Sequence, residues 1–424
     1  MTINPAISVI IPTHNRSALL RRVLDALSAQ QPPGDQIEVL VIADGCTDTT
    51  AELLRTYQAP YSLRAFSQPA QGVAVARNRG AAEARAPIVL FLDDDVVPRP
   101  TTVAAHVAAQ RETPGIVAVG PVENPAGSAF LLQDLRIWWN DYLLALQEPG
   151  HRITYRDFLS GNCSLKRDDF QRLGGFDPAF RRHQDWELGL RIIRAGLPIR
   201  FLPAAMADHH VTITLTRMNN IMHTEGRMDV LLATRYPEII PQLPLAHYAT
   251  IHPPAGRLRR PLRFLAFRRP ELGDRLARLL VPAVQVAETL KLRATWRRWA
   301  YDLRDYWYWR GVAHAVGSIA ALTDLVQRRP TENAAAVRRL TVDLRQGLQA
   351  AADLVDRERP DELLIVFGDR QVGRIPPEPG AEPLRSVHLA PAIMRHLSYE
   401  LISALAIAHT DAPTPLPLHK PIAE

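Results

Sequence analysis

Short runs of near-unbroken hydrophobicity, each stopped by a polar turn and followed by a helix-spaced segment, constrain this chain more than any other feature. Ile7-Ser8-Val9-Ile10-Ile11 is ended by Pro12, and Asn15 then precedes apolar positions at Leu19, Leu20, Val23, Leu24 and Leu27. The cadence predicts strand, turn and helix. It recurs at Ile37–Ile42, which opens into Asp44-Gly45-Cys46-Thr47-Asp48 and a helix over Thr49–Tyr57, and again at Ile88–Leu92, which ends on three aspartates. Continuous rather than alternating hydrophobicity marks strands buried on both faces, hence an α/β fold with a mostly parallel sheet flanked by helices. In such sheets ligands bind at the carboxyl ends of the strands, where every unusual polar cluster of this half falls.

Further along, residues 125–150 read as helical and aromatic, with Trp138, Trp139 and Tyr142, and Ser160-Gly161-Asn162-Cys163-Ser164 follows a short strand-like segment. His183-Gln184-Asp185-Trp186-Glu187 opens a helix that stops at Gly196-Leu197-Pro198, and Ile199–Leu202 is a last strand before His209-His210. The expected division is therefore an α/β domain over 1–215, a helical, basic and aromatic region over 216–358, and a small αβ unit over 359–424. That last unit is expected to hold strands at Leu363–Phe367 and Val372–Ile375 and a helix over Ala392–Ala408.

Composition excludes several function classes. No stretch approaches the ~18 consecutive apolar residues that cross a bilayer, and the start lacks the basic-then-apolar pattern of a secretory signal, so a cytoplasmic protein is expected. Cys46 and Cys163 suit small buried fillers in a reducing compartment rather than a disulfide framework. The net charge is +6, but residues 257–310 alone hold fourteen Lys or Arg against five Asp or Glu, so the rest of the chain sums to −3. In that segment Leu276, Leu279, Leu280, Ala283, Val284, Ala287 and Leu290, then Leu292, Trp296, Trp299, Leu303 and Tyr306, fall at helical spacing with cations mostly off the stripe. Two readings stay open: packing against the chain's own flank or a second copy of it, and peripheral contact with the inner face of an anionic membrane. No recognition motif points to nucleic acid.

The strongest chemical signal is Phe91-Leu92-Asp93-Asp94-Asp95. Carboxylates this close repel one another unless a cation neutralises them, and oxygen ligands suit Mn²⁺ or Mg²⁺. Four other clusters accompany it: Val9-Ile10-Ile11-Pro12-Thr13-His14-Asn15-Arg16, Ala43-Asp44-Gly45-Cys46-Thr47-Asp48, Gly72-Val73-Ala74-Val75-Ala76-Arg77-Asn78-Arg79-Gly80 and Asp185-Trp186-Glu187-Leu188. In order and spacing the series resembles the motifs of family 2 glycosyltransferases, over residues ~5–215. The resemblance implies a GT-A fold, a nucleotide-binding αβα sandwich, and an inverting, metal-dependent, non-processive transfer of a sugar from a nucleotide diphosphate, expected to be uridine-linked, to a glycan or lipid-linked hydroxyl.

What the resemblance implies for residues is specific. Pro12, Thr13, Asn15, Asp44, Arg77, Asp93 and Asp94 would bind the nucleotide, with Asp44 accepting from a ring N–H such as uracil offers. Asp93, Asp95 and His210 would hold Mn²⁺ or Mg²⁺, which stabilises the departing diphosphate. Asp185 would act as catalytic base, with Glu187 in reserve. Gly161, Asn162 and Trp186 would line the acceptor side. Two other readings remain: a catalytically silent glycan-binding or scaffold subunit, and a nucleotidyltransferase, although the latter expects a glycine-rich basic loop where Pro12-Thr13-His14-Asn15 stands.

Overall fold

The structure is a computed structural model that describes residues 5–31, 37–124, 127–210, 213–250, 256–328, 337–397 and 399–403. It divides into two compact units, residues 1–147 with 153–334, and residues 148–152 with 335–424.

In the larger unit the order is β1 (Ile7–Thr13), α1 (Ser17–Ser28), β2 (Ile37–Asp44), α2 (Thr50–Thr56), β3 (Ser62–Gln68), α3 (Val73–Glu83), β4 (Ile88–Leu92), β5 (Val96–Pro98) and α4 (Thr102–Glu112). There follow β6 (Val117–Val119), β7 (Val122–Glu123), α5 (Phe130–Gln147), β8 (Asn162–Lys166), α6 (Arg167–Arg172), α7 (Gln184–Arg194), β9 (Ile199–Phe201) and β10 (Ala207–His209). The main sheet has the order β3-β2-β1-β4-β8-β6-β9, and β5-β10-β7 form a small second sheet. Strands β3, β2, β1 and β4 run parallel, whereas β8 is antiparallel to both β4 and β6.

The side chains of β1 alternate between two apolar layers, as strand pleating requires. Val9 and Ile11 join Leu20, Val23, Leu24 and Leu27 of α1 on one face, while Ile10 joins Leu40, Phe91, Cys163, Leu188 and Ile192 on the other. Both layers are dry, so the expected burial on two faces is observed and the fold class is α/β.

After β10 the larger unit continues through α8 (Leu215–Arg235), α9 (Arg259–Arg268), α10 (Pro270–Thr289), α11 (Arg293–Val316) and α12 (Ile319–Val326). Their core includes Leu232, Ile240, Leu262, Trp296, Leu303, Tyr306 and Val312. The expected apolar stripe splits in two. Trp296, Leu303 and Tyr306 are buried, whereas Leu276, Leu279 and Leu290 lie exposed on α10, whose inner face is Gly273, Ala277, Val284 and Ala287. None of the described helices is long and apolar enough to cross a membrane.

The smaller unit holds β11 (Arg339–Asp343), α13 (Leu348–Glu358), β12 (Glu362–Phe367), β13 (Arg370–Ile375) and α14 (Ser386–His396), with sheet order β11-β12-β13. Two expectations are corrected here. β11 pairs in parallel with β12, so residues assigned by sequence to the helical region supply a strand of the αβ unit. The terminal helix begins at Ser386 rather than Ala392, and the stretch from 404 onward in the expected range lies outside the described residues.

Helices α8 and α11 meet backbone to backbone. A Cβ on Gly311 would overlap the His223 carbonyl, and one on Gly226 would overlap the Tyr308 carbonyl. Both atoms belong to helix backbone and cannot swing aside, so added volume has to separate the helices. Gly311→Ala is expected to lose about 1–3 kcal/mol of stability, the usual cost of overpacking. Denaturant unfolding monitored by tryptophan fluorescence checks this, and an unchanged midpoint would exclude the close crossing.

Candidate active site

The carboxyl ends of β1, β2 and β4 lie side by side, with Thr13 opposite Ala43 and Asp44 opposite Gln68 of β3. Asp93, Asp94 and Asp95 emerge from the end of β4 into this crevice, and each carboxylate meets a different partner.

Arg77 of α3 is buried, and its Nη2 donates to Asp93 Oδ1 at 2.5 Å while Nη1 donates to Ser160 Oγ at 2.8 Å. The guanidinium also lies over the Phe176 ring, 5.2 Å from its centroid. The Asp93 side chain remains 36 % exposed, so one side of it faces solvent. Its backbone N–H donates to the Gly161 carbonyl, and a Cβ on Gly161 would reach 3.0 Å from Asp93 Oδ2. Gly161 therefore borders the same carboxylate.

Asp94 and Asp95 share Arg16, whose Nη1 lies 2.8 Å from an oxygen of each. Thr13 Oγ1 also donates to Asp94 Oδ2 at 2.7 Å. Burial nevertheless outweighs Arg16 and Thr13 and pushes the Asp94 carboxyl up to about 6. Asp95 is buried too, but the hydrogen bond and charge of His209, with Arg16, overcome that penalty and hold it below the usual carboxylate range. Arg16 stands inside the first motif, yet sequence reasoning gave it no role. A cation beside Thr13 and ahead of three aspartates was the available signal.

The histidine assignment needs correction. His209 Nε2 lies 3.5 Å from Asp95 Oδ1, and its Nδ1 lies 2.8 Å from Asn124 Oδ1. His210 instead gives its backbone N–H to the Asp95 carbonyl, and its imidazole lies 3.3 Å from Arg22. β10 turns His209, not His210, toward the carboxylate. When Nδ1–H donates to Asn124, the Nε2 lone pair points at an anion, an arrangement that a proton or a metal ion between them relieves. Carboxylate oxygen and imidazole nitrogen are ligands that Mn²⁺ accepts, so Asp95 and His209 fit such an ion. Among the described residues no set of three or more His, Cys, Asp or Glu is grouped to hold one.

Asp44 is a brace within the crevice. Oδ1 accepts from Gln68 Nε2 and the Gln71 backbone N–H, both at 2.9 Å, and Oδ2 accepts from the Gly72 N–H at 2.7 Å. Burial works against its charge, but these donors prevail and hold the carboxyl below its ordinary range. Gly72 has φ +98°, a conformation that suits glycine and aims its N–H at Asp44 just before α3. Asn15, with φ +54°, accepts through Oδ1 from the backbone N–H groups of Thr47 and Asp48, which ties the β1 and β2 turns together. Pro12 and Thr13 are buried at the β1 end.

On the other side, Asp185 lies in the first turn of α7, half-buried, and accepts from the Trp186 backbone N–H at 3.0 Å. Burial pushes the Cys163 thiol of β8 far up, Arg77 opposing this and the charges of Asp93 and Asp185 adding to it. Both carboxylates therefore lie within electrostatic reach of the start of β8. Glu187 is a correction: it is buried, paired with Arg191 and hydrogen-bonded by the Tyr236 hydroxyl at 2.7 Å. It holds α7 to the turn after α8 and has no open face for a substrate. Asn162 is corrected likewise. It is fully buried, its amide N–H groups donating to the Ala205 and Pro121 carbonyls and its oxygen lying 3.0 Å from His106 Nε2. Trp186 stacks on His183 at 3.9 Å and meets the edge of Tyr155.

The raised Asp94 value has a definite sign. The folded state holds the Asp94 proton more tightly than the unfolded chain does, so this residue makes stability fall as pH rises from about 4 to about 6. Asp94→Asn is expected to remove that component. Parallel urea titrations of both proteins between pH 4 and 8 measure it, and identical pH profiles would refute the assignment.

Residues 8–174 match the sequence model of glycosyl transferase family 2, and residues 140–223 match one described as the N-terminal domain of galactosyltransferase. The validoxylamine A glucosyltransferase of Streptomyces hygroscopicus subsp. limoneus is 34% identical over 226 residues, covering 46% of this chain and 49% of that one. The chondroitin synthase of Escherichia coli is 24% identical over 241 residues, covering 48% and 34%. The chain spans about half the length of the first of these relatives. A mannosyltransferase from Pyrobaculum calidifontis, solved in complex with GDP-Man and Mn²⁺, superposes with a TM-score of 0.47 at 20% identity, covering 74% of this chain and 87% of that one. Residues 8–174 are thus the part of the chain that is similar to glycosyl transferase family 2.

Proposed function

We propose that this protein is an inverting, non-processive glycosyltransferase that moves one sugar from a nucleoside-diphosphate donor, uridine-linked, to a hydroxyl of a glycan or lipid-linked acceptor. The observation that carries this reading is the pair of partly exposed carboxylates the site offers, Asp93 just after β4 and Asp185 in the first turn of α7. One carboxylate belongs to the diphosphate side, with Arg77 and Gly161. The other belongs to the acceptor side, where among the described residues it forms no ion pair and is free to take a proton.

In the proposed reaction the acceptor oxygen forms a bond to the anomeric carbon as the bond from that carbon to the diphosphate oxygen breaks. The bonding pair leaves with the nucleotide diphosphate, and the acceptor proton passes to the Asp185 carboxylate. Asp44, held ionised by its own donors, retains lone pairs for a ring N–H of the base. A divalent cation, Mn²⁺ or Mg²⁺, held by Asp95 and His209, would supply Lewis-acid stabilisation of the departing charge. Asp185→Asn is expected to lower turnover by about 10²- to 10⁴-fold, the usual contribution of a general base. The same variant should keep the thermal shift that UDP-sugars with Mn²⁺ give the parent protein. Undiminished turnover would eliminate Asp185 as the base, and donor binding without any turnover in the parent would favour a silent subunit.

We also infer that α10 meets an anionic membrane. Leu272, Leu276, Leu279, Val286 and Leu290 are exposed along one face of this helix. Four of the five acids nearby are consumed internally: Asp302 by Arg259, Asp305 by Arg263, Asp274 by Tyr306 and Arg310, and Glu288 by the Phe130 N–H, while Glu271 is exposed at the start of α10. Arg268, Arg269, Arg275 and Arg278 remain exposed around the stripe. Apolar stripe and unspent cations together suit the headgroup zone. Co-sedimentation with phosphatidylglycerol vesicles is expected, reduced at high salt and in Leu279→Glu. Equal binding to neutral vesicles, or none to either, would contradict it.

A further inference from the structure

The aromatic residues of α5 take no part in the site described above, yet their geometry is that of a built surface. Trp138 is 59 % exposed, and its ring lies parallel to that of Tyr142, with 5.8 Å between centroids and 4° between planes. Trp139 packs beside both, at 5.6 Å from each ring. The polar tips beneath are tied down. The Trp139 indole N–H donates to the Val122 carbonyl, and the Tyr142 hydroxyl donates to Asp157 Oδ1 at 2.8 Å. Asp157 is itself fixed by the Thr154 backbone N–H at 2.7 Å.

A large exposed indole stacked on a neighbouring ring, with those neighbours pinned by hydrogen bonds, differs from an apolar side chain left over at a helix face. Trp and Tyr offer a rigid apolar area at low conformational-entropy cost, with ring faces that carry partial negative charge. Such a face attracts the C–H bonds on one side of a pyranose or cyclitol ring while the hydroxyls point outward to polar partners. Asp141, exposed and three residues on from Trp138, offers a hydroxyl acceptor on the same helix face. The platform borders the side of Asp185, because the Tyr142 hydroxyl lies 3.2 Å from the Arg156 carbonyl and the Arg156 guanidinium lies over the ring of Trp186, the next residue after Asp185, 5.3 Å from its centroid.

We propose that Trp138, backed by Tyr142, is the acceptor platform, and that the acceptor presents a saturated polyhydroxylated six-membered ring to it. This rests on the reading of Asp185 as the base that receives the acceptor proton. It places acceptor recognition on α5, in the stretch sequence analysis left without a role, instead of on Asn162.

Saturation-transfer NMR with methyl β-D-glucopyranoside and myo-inositol tests the platform directly. Ring C–H protons of the probe should receive saturation in the parent protein, about five- to tenfold less in Trp138→Ala, and nearly the parent level in Trp138→Phe, which keeps an aromatic face. Leu144→Ala, an exposed change on the same helix, should behave as the parent and controls for damage to α5. With any acceptor that is turned over, Trp138→Ala should raise the acceptor KM and leave the donor KM unchanged. No saturation in the parent, undiminished saturation in Trp138→Ala, or a change of sedimenting mass in that variant would overturn the proposal, the last by making this face a contact between copies. Failure of the transfer reading is seen separately, as absence of a thermal shift with UDP- or GDP-sugars and Mn²⁺, a measurement that does not involve Trp138.

Discussion

Consecutive carboxylates at the end of a buried strand must find positive charge, and where that charge comes from organises the sheet-bearing half of the chain. Arg77 reaches Asp93 from α3, Arg16 reaches Asp94 and Asp95 from the turn after β1, and His209 faces Asp95 from β10. An unpaired charge in such a place would cost several kcal/mol. Each pairing also ties together elements far apart in sequence. The result is uneven. Asp94 is the most enclosed and bears a desolvation penalty that its partners do not fully offset. Asp93 keeps solvent on one side. Asp94 is thus suited to anchoring Arg16 against β1, while Asp93 retains a face for a ligand.

The crevice around this triplet follows from strand register. With β1, β2 and β3 parallel and in step, Thr13, Asp44 and Gln68 arrive at one edge, and Asp44 then fastens the β3–α3 connection through Gln71 and Gly72. A residue expected only to read a base also shapes the floor on which a base would lie. The two roles are compatible because a carboxylate with three intramolecular donors still has lone-pair capacity. The same donors that hold the loop keep that carboxylate charged.

Much of this architecture was legible in sequence, for physical reasons that also mark its limits. Doubly buried strands leave continuous apolar runs, so β1, β2 and β4 were plain. β11 was not, because on Arg339-Leu340-Thr341-Val342-Asp343 only Val342 is buried and the rest reads as polar. Pairing with β12 decides its state, and that pairing is not local. The motif series drew attention to Asp93, Asp95 and Asp185, and each stands just past a strand end or at a helix start. It misjudged Asn162 and Glu187 because polarity alone does not distinguish a side chain that serves the fold from one that faces a ligand. The amide of Asn162 is spent on carbonyls of the β6–β7 and β9–β10 turns, and the carboxylate of Glu187 on Arg191 and Tyr236. Between His209 and His210 the alternation of side chains along extended backbone decides.

The helical region after β10 shares a unit with the sheet, and α5 accounts for much of that union. At its start, Glu288 of α10 accepts from the Phe130 N–H, Trp296 of α11 meets the Phe130 ring edge-on at 5.4 Å, and Arg293 pairs with Asp134 at 2.7 Å. Toward its end, Trp139 and Tyr142 bond to β7 and to the segment before β8. Half of α5 therefore belongs to each layer. Four of the five acids of the basic region are consumed in such internal pairings, which leaves the surface around α10 more positive than composition indicates. Net charge counts every ion equally, whereas a partner meets only those the fold has not already paired.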